Sequence, residues 1–232
     1  MKSGLAVVLL SGGMDSCVVT AIANESFDLA CLHADYGQRT EARESKAFND
    51  IVSHYGVPVG RRLVVDMSYL GMIGGSSLTD PGVDVPFPEH PTATNTNEVP
   101  STYVPFRNTN LLAAAVSWAE VIGAGKVFIG AVEDDRIGYP DCRQRYFEVF
   151  NSLVEAGTRP ETRITIETPL IHMKKADIVR KGVVLGAPLH LSWSCYKEEE
   201  TACGRCQSCL SRREAFTEAG HKDPIPYQAA NP

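Results

Sequence analysis

Leu5-Ala-Val-Val-Leu-Leu10-Ser11-Gly12-Gly13-Met14-Asp15-Ser16 sets the reading of everything that follows it. Six apolar residues in a row, with no polar alternation, suit a parallel strand covered on both faces. Two glycines come next, and then a helix pattern over residues 16–24. In an open parallel sheet, ligands bind beyond the carboxyl ends of the strands, where this loop belongs. Gly12 and Gly13 let the main chain approach an anion closely and turn N–H groups toward it, and the helix behind adds its positive end. The hydroxyls of Ser11 and Ser16 are further donors, and Leu10 and Met14 complete the loop. Asp15 is the odd member, because a carboxylate repels a bare anion. It makes sense as a helix cap, or as a ligand for Mg²⁺ that accompanies the phosphates. The loop is neither the lysine-bearing P-loop nor the dinucleotide fingerprint. Taken alone, Ser-Gly-Gly is an ordinary turn; its place after the first buried strand makes it a phosphate site.

The alternation continues outward. Strand patterns occupy residues 29–34, 61–65, 126–131 and 164–167, and helix patterns residues 41–55, 110–122, 145–156 and 174–185. This succession predicts an α/β fold with a doubly wound parallel sheet. Between residues 67 and 105 the periodicity stops. Six of the fourteen prolines (Pro81, Pro86, Pro88, Pro91, Pro100 and Pro105) fall there, as in a lid or a plain surface insertion. The expected organisation is an α/β domain over residues 1–190 and a small cysteine-rich lobe over 191–232.

Composition narrows the function. The 232 residues are 44% apolar and 22% charged, an ordinary globular balance. A formal net charge of −6 argues against gripping a long phosphate backbone, so a small-molecule substrate and no direct nucleic-acid contact are expected. The first apolar run is far short of the ~20 residues that span a bilayer, and no cleavable leader pattern follows Lys2. A cytoplasmic protein is expected, with no membrane partner; a homodimer stays open.

Four of the seven cysteines, Cys195, Cys203, Cys206 and Cys209, lie within fifteen residues. In a reducing compartment such clustering points to a metal rather than to disulfides. Four thiolates suit one structural zinc per chain, with no open coordination position. An iron–sulfur cluster is the rival, and a brown colour would reveal it. Cys17, Cys31 and Cys142 read as packing residues, and His33, His172 and His190 as structural.

Three more segments fall where loops should follow strands or lead into helices. They are Asp35-Tyr-Gly-Gln38-Arg39, Tyr103-Val-Pro-Phe-Arg107-Asn108 and Gly138-Tyr139-Pro-Asp141-Cys142-Arg143. Each alone passes for a surface turn; three on one sheet edge favour a site. Asp141 suits a pair of N–H donors on a substrate, and Arg107 or Arg143 a bidentate grip on an acid group. Gln38, Arg39, Asn108 and Tyr139 are candidates for phosphate or substrate contact.

The six residues 11–16 resemble the pyrophosphate loop of the ATP pyrophosphatases, the adenine-nucleotide alpha-hydrolase-like group. That resemblance implies cleavage of ATP to AMP and pyrophosphate. With YGQR, VPFRN, GYPDCR, WSCY and CGRCQSC in order, the whole chain resembles the 7-cyano-7-deazaguanine synthases of queuosine biosynthesis. The resemblance implies an ATP-dependent ligase that joins 7-carboxy-7-deazaguanine and ammonia through adenylated intermediates. It also implies zinc on Cys195, Cys203, Cys206 and Cys209, with ATP and Mg²⁺ as the other cofactors. Asp15, Ser16, Arg107 and Arg143 would then be the catalytic set. The chain departs from the family pattern at Thr40, where His is usual, and at Asp135-Arg136-Ile137. The competing class is a tRNA-modifying sulfur transferase, which uses the same loop but needs a reactive cysteine and a basic surface.

Overall fold

A computed structural model describes residues 2–85, 99–133 and 138–229. Pro86, Pro88, Pro91 and the departure at Asp135-Arg136-Ile137 lie outside the described residues. The strands are β1 (Leu5–Leu9), β2 (Asp28–Asp35), β3 (Arg62–Asp66), β4 (Lys126–Ile129) and β5 (Thr165–Glu167). All four pairings are parallel, and the order across the sheet is β3-β2-β1-β4-β5. The helices are α1 (Met14–Ser26), α2 (Glu41–His54), α3 (Tyr69–Ile73), α4 (Arg107–Ile122), α5 (Gln144–Gly157), α6 (Lys175–Val184) and α7 (Gln207–Ala219). Strand order reverses at β1, so β1 and β4 part company above the sheet and leave a crevice at their carboxyl ends. The expected doubly wound α/β architecture is what the chain adopts.

The uninterrupted apolar run of β1 follows from its central place. Ala6, Val8 and Leu10 face a core shared with α1, α2, α6 and α7, and Val7 and Leu9 face a second core shared with α4 and α5. Phe128 of β4 goes to the first core, Val127 and Ile129 to the second. Period-two alternation is thus present in space but hidden in sequence, because both faces are apolar.

The carboxyl-terminal segment is less separate than its composition suggests. Ala215 and Phe216 of α7 enter the same core as α1 and α6. Arg212 is buried, and its guanidinium makes a double bond set to Asp223 (2.9 and 3.1 Å), with further donations to Ser192 Oγ, Ser194 Oγ and the Leu189 carbonyl. Five donors meet five acceptors, the condition under which a buried cation is tolerated.

Two helices begin two or three residues earlier than expected. Helix α1 starts at Met14 rather than at residue 16, with Gly13 in extended geometry before it, so Asp15 stands in the first turn. Helix α4 starts at Arg107 rather than at residue 110, which moves Arg107 and Asn108 from a loop onto a helix. The preceding Phe106 has φ 58°, a left-handed conformation uncommon outside glycine. Within the aperiodic stretch, α3 forms, and Ser76, Ser77, Leu78 and Val85 are buried rather than splayed into solvent. No helix among the described residues is long and apolar enough to cross a membrane.

Candidate active site

A cleft of about 520 Å³ opens at the carboxyl ends of β1, β2 and β4. The residue 11–16 loop forms its floor, the start of α4 one wall, and the chain from Trp193 to Tyr196 another. The loop is internally tied: Ser11 Oγ takes the Gly13 N–H at 3.2 Å and lies 3.1 Å from Ser16 Oγ, while Ser16 Oγ donates to the Gly13 carbonyl at 3.0 Å. The Gly12 carbonyl accepts the Trp193 N–H at 2.8 Å, which fastens the cysteine-rich segment to the loop.

Gly12 is required on two counts. Its φ is +86°, and a Cβ there would stand 2.8 Å from the Glu44 carbonyl oxygen and 2.9 Å from Ala47 Cβ. Both contacts belong to α2 and cannot swing aside. Gly12→Ala should therefore lose about 2–5 kcal/mol of stability in urea denaturation, combining backbone strain with overpacking. A loss below about 1 kcal/mol would mean that α2 yields freely. Gly130, after β4, does the same from the other side: a Cβ there would lie 3.0 Å from the Asp15 carbonyl carbon and Ser16 nitrogen.

Asp15 meets a partner that sequence reasoning did not select. Lys175, the first residue of α6, donates its ammonium to Asp15 Oδ2, and both side chains border the cleft. Asp15 Oδ1 is buried without any hydrogen-bond partner. An orphaned carboxylate oxygen costs about 1–3 kcal/mol, and a cation arriving with phosphates would satisfy it. The loop lacks a lysine of its own, and the fold brings one from 160 positions away.

The other candidates divide. Arg107 borders the cleft, donates to Tyr36 Oη at 3.1 Å and lies over that ring, while its Nε is buried and unpaired. Tyr139 and Arg143 also border the cleft, Tyr139 Oη standing 2.6 Å from Thr102 Oγ1. Asn108 borders it too, but its amide is turned to the Asp141 carbonyl and the Cys142 sulfur.

Three side chains have partners that the sequence does not announce. Asp141 is 5% exposed and does not line the cleft: its Oδ2 accepts the Asn108 backbone N–H at 3.0 Å, a carboxylate at the positive end of α4. In this arrangement it steadies that helix. Arg39 touches the cleft, yet its guanidinium is engaged by the carbonyls of Ser77, Asp80 and Val83. It holds the 76–85 segment against the site. Cys142, expected to be packing, borders the cleft. Burial, then the neighbouring Asp141, pushes its thiol up to about 11, so it stays protonated. Cys17 and Cys31 are core residues as expected, and burial raises both to about 12.

Gln38 is buried and spends its amide internally, accepting the Tyr36 N–H at 2.8 Å and donating to Glu44 Oε2 at 3.3 Å. Glu44, unremarked in the sequence, lines the cleft and takes the Thr40 hydroxyl on Oε1 at 2.9 Å. Thr40 thus holds the Glu44 carboxylate in place. Burial pushes the Glu44 carboxyl up to about 7, opposed by Thr40, Arg107 and Gln38.

The four cysteines converge. The sulfurs of Cys195, Cys203, Cys206 and Cys209 all lie within 4.8 Å of one another, and all four residues are buried. Cys203 and Cys209 sulfurs stand 3.9 Å apart, against about 3.8 Å around one tetrahedral ion with ~2.3 Å bonds. Backbone N–H groups of Lys197, Glu198 and Cys203 point at the Cys195 sulfur, and those of Arg205 and Cys206 at the Cys203 sulfur. Such donors favour thiolates, and the Cys195 thiol is held far below its ordinary range, first by the Cys206 and Cys209 thiols. The donor set therefore fits a metal ion. Cys195 and Tyr196 also reach the cleft, so the metal-ligand segment is part of its wall.

A family model described as "Queuosine biosynthesis protein QueC" matches residues 5–220. A protein of Chlorobaculum parvum called 7-cyano-7-deazaguanine synthase is 53% identical over 224 residues, covering 96% of each chain. One of the same name from Chlorobium phaeovibrioides is 56% identical over 223 residues, again 96% of each. Among solved structures, a U34-tRNA thiolase NcsA from Methanococcus maripaludis with its [4Fe-4S] cluster aligns with a TM-score of 0.48 at 15% identity. It covers 93% of this chain and 64% of that one. At that level the description of the fold rests on the sheet itself.

Proposed function

Because the chain belongs to the QueC family of queuosine biosynthesis proteins, we propose that its cleft converts 7-carboxy-7-deazaguanine and ammonia to 7-cyano-7-deazaguanine. ATP is split to AMP and pyrophosphate. The observation that carries this reading is the meeting, on one cleft, of the tied Ser-Gly-Gly loop, the Asp15–Lys175 pair and Arg107.

A carboxylate oxygen is a poor leaving group until it is phosphorylated. The substrate carboxylate attacks the α-phosphorus, and pyrophosphate departs into the 11–16 loop, whose N–H groups and hydroxyls receive the negative charge. Lys175 supplies the cation that the loop lacks. Arg107, with Arg143 across the cleft, holds the carboxylate oxygens. Ammonia then displaces AMP to give an amide. A second adenylation, on the amide oxygen, lets AMP leave as nitrogen loses its protons, giving the nitrile. Asp15 Oδ1 would hold Mg²⁺, which when bound offsets the phosphate charge.

Zinc is the metal we assign to the four cysteines. A cluster would place its thiolates on different irons and spread the sulfurs farther than one ion does. We read residues 1–190 as the ATP-binding domain and 191–232 as the metal lobe, in a cytoplasmic enzyme that meets a free base and not tRNA. A sulfur transferase finds no support in Cys142, since a persulfide carrier needs a thiolate and burial here opposes one.

Incubation with ATP, ammonium and the carboxylic acid should yield AMP, pyrophosphate and a product lighter by the mass expected for a nitrile. ADP as the nucleotide product would overturn the proposal.

A further inference from the structure

The chemistry just proposed consumes ammonia, yet ammonium is by far the commoner species in neutral water. Some group has to take its surplus proton inside the cleft. Lys175 and Arg107 bring positive charge, which repels ammonium; Asp15 is already paired with Lys175, and Glu133, another carboxylate that lines the cleft, accepts the Gln144 backbone N–H on Oε2 at 3.1 Å. The tyrosines of the cleft are no better. Burial pushes Tyr36 up to about 12 and raises Tyr139 and Tyr196 too, so all three keep their protons.

Glu44 is different. It lines the cleft from the first turn of α2, and its backbone carbonyl lies against Gly12 of the pyrophosphate loop. Its hydrogen bonds come from neutral donors, the Thr40 hydroxyl and the Gln38 amide. Those donors orient the carboxylate without neutralising it. The charged and titratable groups facing it from other elements are Arg107 of α4, Asp35 at the end of β2 and Tyr36 after it.

Resting on the proposed reaction, we propose that Glu44 is the catalytic base of the ammonia step, binding ammonium and delivering ammonia to the adenylated carboxyl carbon. One N–H bond of ammonium breaks and its proton passes to a Glu44 carboxylate oxygen. The freed lone pair forms the C–N bond. The bond from carbon to the AMP oxygen breaks with its electron pair, and the nitrogen's remaining surplus proton leaves with water. Glu44 returns its proton to solvent before the next turnover. A carboxyl near 7 is matched to this task at neutral pH.

The test separates the half-reactions. With Glu44→Gln, amide formation should fall by about 10²-fold or more, the range of general-base contributions. Isotope exchange between pyrophosphate and ATP, which needs the acid but no ammonia, should stay within about threefold. Conversion of supplied amide to nitrile, which also needs no ammonia, should stay within the same margin. Amide formation in the variant should recover as pH rises and free ammonia increases. Thr40→Val, which keeps the carboxylate but removes a hydrogen bond that lowers its pKa, should move the acid limb of the wild-type ammonia profile upward. Equal loss in all three reactions would make Glu44 a brace for the Gln38 turn and overturn the proposal. So would undiminished amide formation, or an unmoved limb in Thr40→Val. Failure of the parent enzyme itself to exchange pyrophosphate would instead strike the reaction beneath it.

Discussion

With zinc on the four cysteines as proposed, Cys206→Ser is expected to leave the chain without metal and to open its carboxyl-terminal wall. Cys206 is wholly buried, in a cluster with Trp193, Ala202 and Ile225 that also takes Met67, Leu70 and Leu78 from the far side of the cleft. Structural zinc in small thiolate sites contributes about 10–16 kcal/mol of binding free energy. That is comparable to the whole stability of an ordinary domain, about 5–15 kcal/mol. Without the ion, four sulfurs crowded within 4.8 Å have no common partner. The bond from the Trp193 backbone N–H to the Gly12 carbonyl then loses its anchor, and the 11–16 loop loses one side of its support. Metal analysis should find one equivalent in the parent and none in the variant. Protease should cut between residues 193 and 229, and ATP affinity should fall at least tenfold. A metal-free variant that stays resistant to protease and binds ATP normally would show that apolar packing alone holds this wall.

The dependence of the site on that wall was only half legible in the sequence. Spacing revealed the four ligands, but not that Cys195 and Tyr196 would border the cleft. Helix α7 gave little warning, because Ala215, Phe216 and a partly buried Ala219 are all it sends to the main core and its buried Arg212 looks like a surface residue. The sheet was readable for the opposite reason. Residues 5–10 and, apart from His33, residues 29–34 are apolar on both faces, and few other structures bury such short runs. Helix starts were missed where the backbone does something a sequence does not announce, as in the left-handed turn at Phe106. That error mattered for Arg107, which gains a fixed place on α4 instead of a place on a loop.

Long-range pairing was the other blind spot. Lys174 and Lys175 are adjacent and chemically alike, and nothing local says which one turns inward. Only the packing of α6 beside α1 places Lys175 on Asp15. Glu44 was passed over on similar grounds. It sits in the charged run Glu41-Ala-Arg-Glu44, which reads as a solvated helix start until α2 is laid against the loop.

Asp15→Ala should stop release of pyrophosphate almost completely while leaving metal content at the parent's level. The carboxylate stands in the first turn of α1, with one oxygen on Lys175 and the other buried and unsatisfied. Its removal takes away the only acidic side chain in that first turn, and with it the group suited to a cation that travels with phosphates. Losing one positioned electrostatic contact in a transition state costs about 10²–10³-fold, and losing a metal ligand with it more, so a fall of at least about 10³-fold is expected. Lys175, left partly buried beside a void, should also lower stability. The double variant Asp15→Ala, Lys175→Met removes that unpaired charge. It should regain most of the lost stability in urea denaturation but none of the activity, which separates the chemical role from the structural one. Pyrophosphate release within tenfold of the parent in Asp15→Ala would remove the residue from the reaction. Recovery of activity in the double variant would mean that the charge balance of the pair, and not the carboxylate itself, had been the limiting factor.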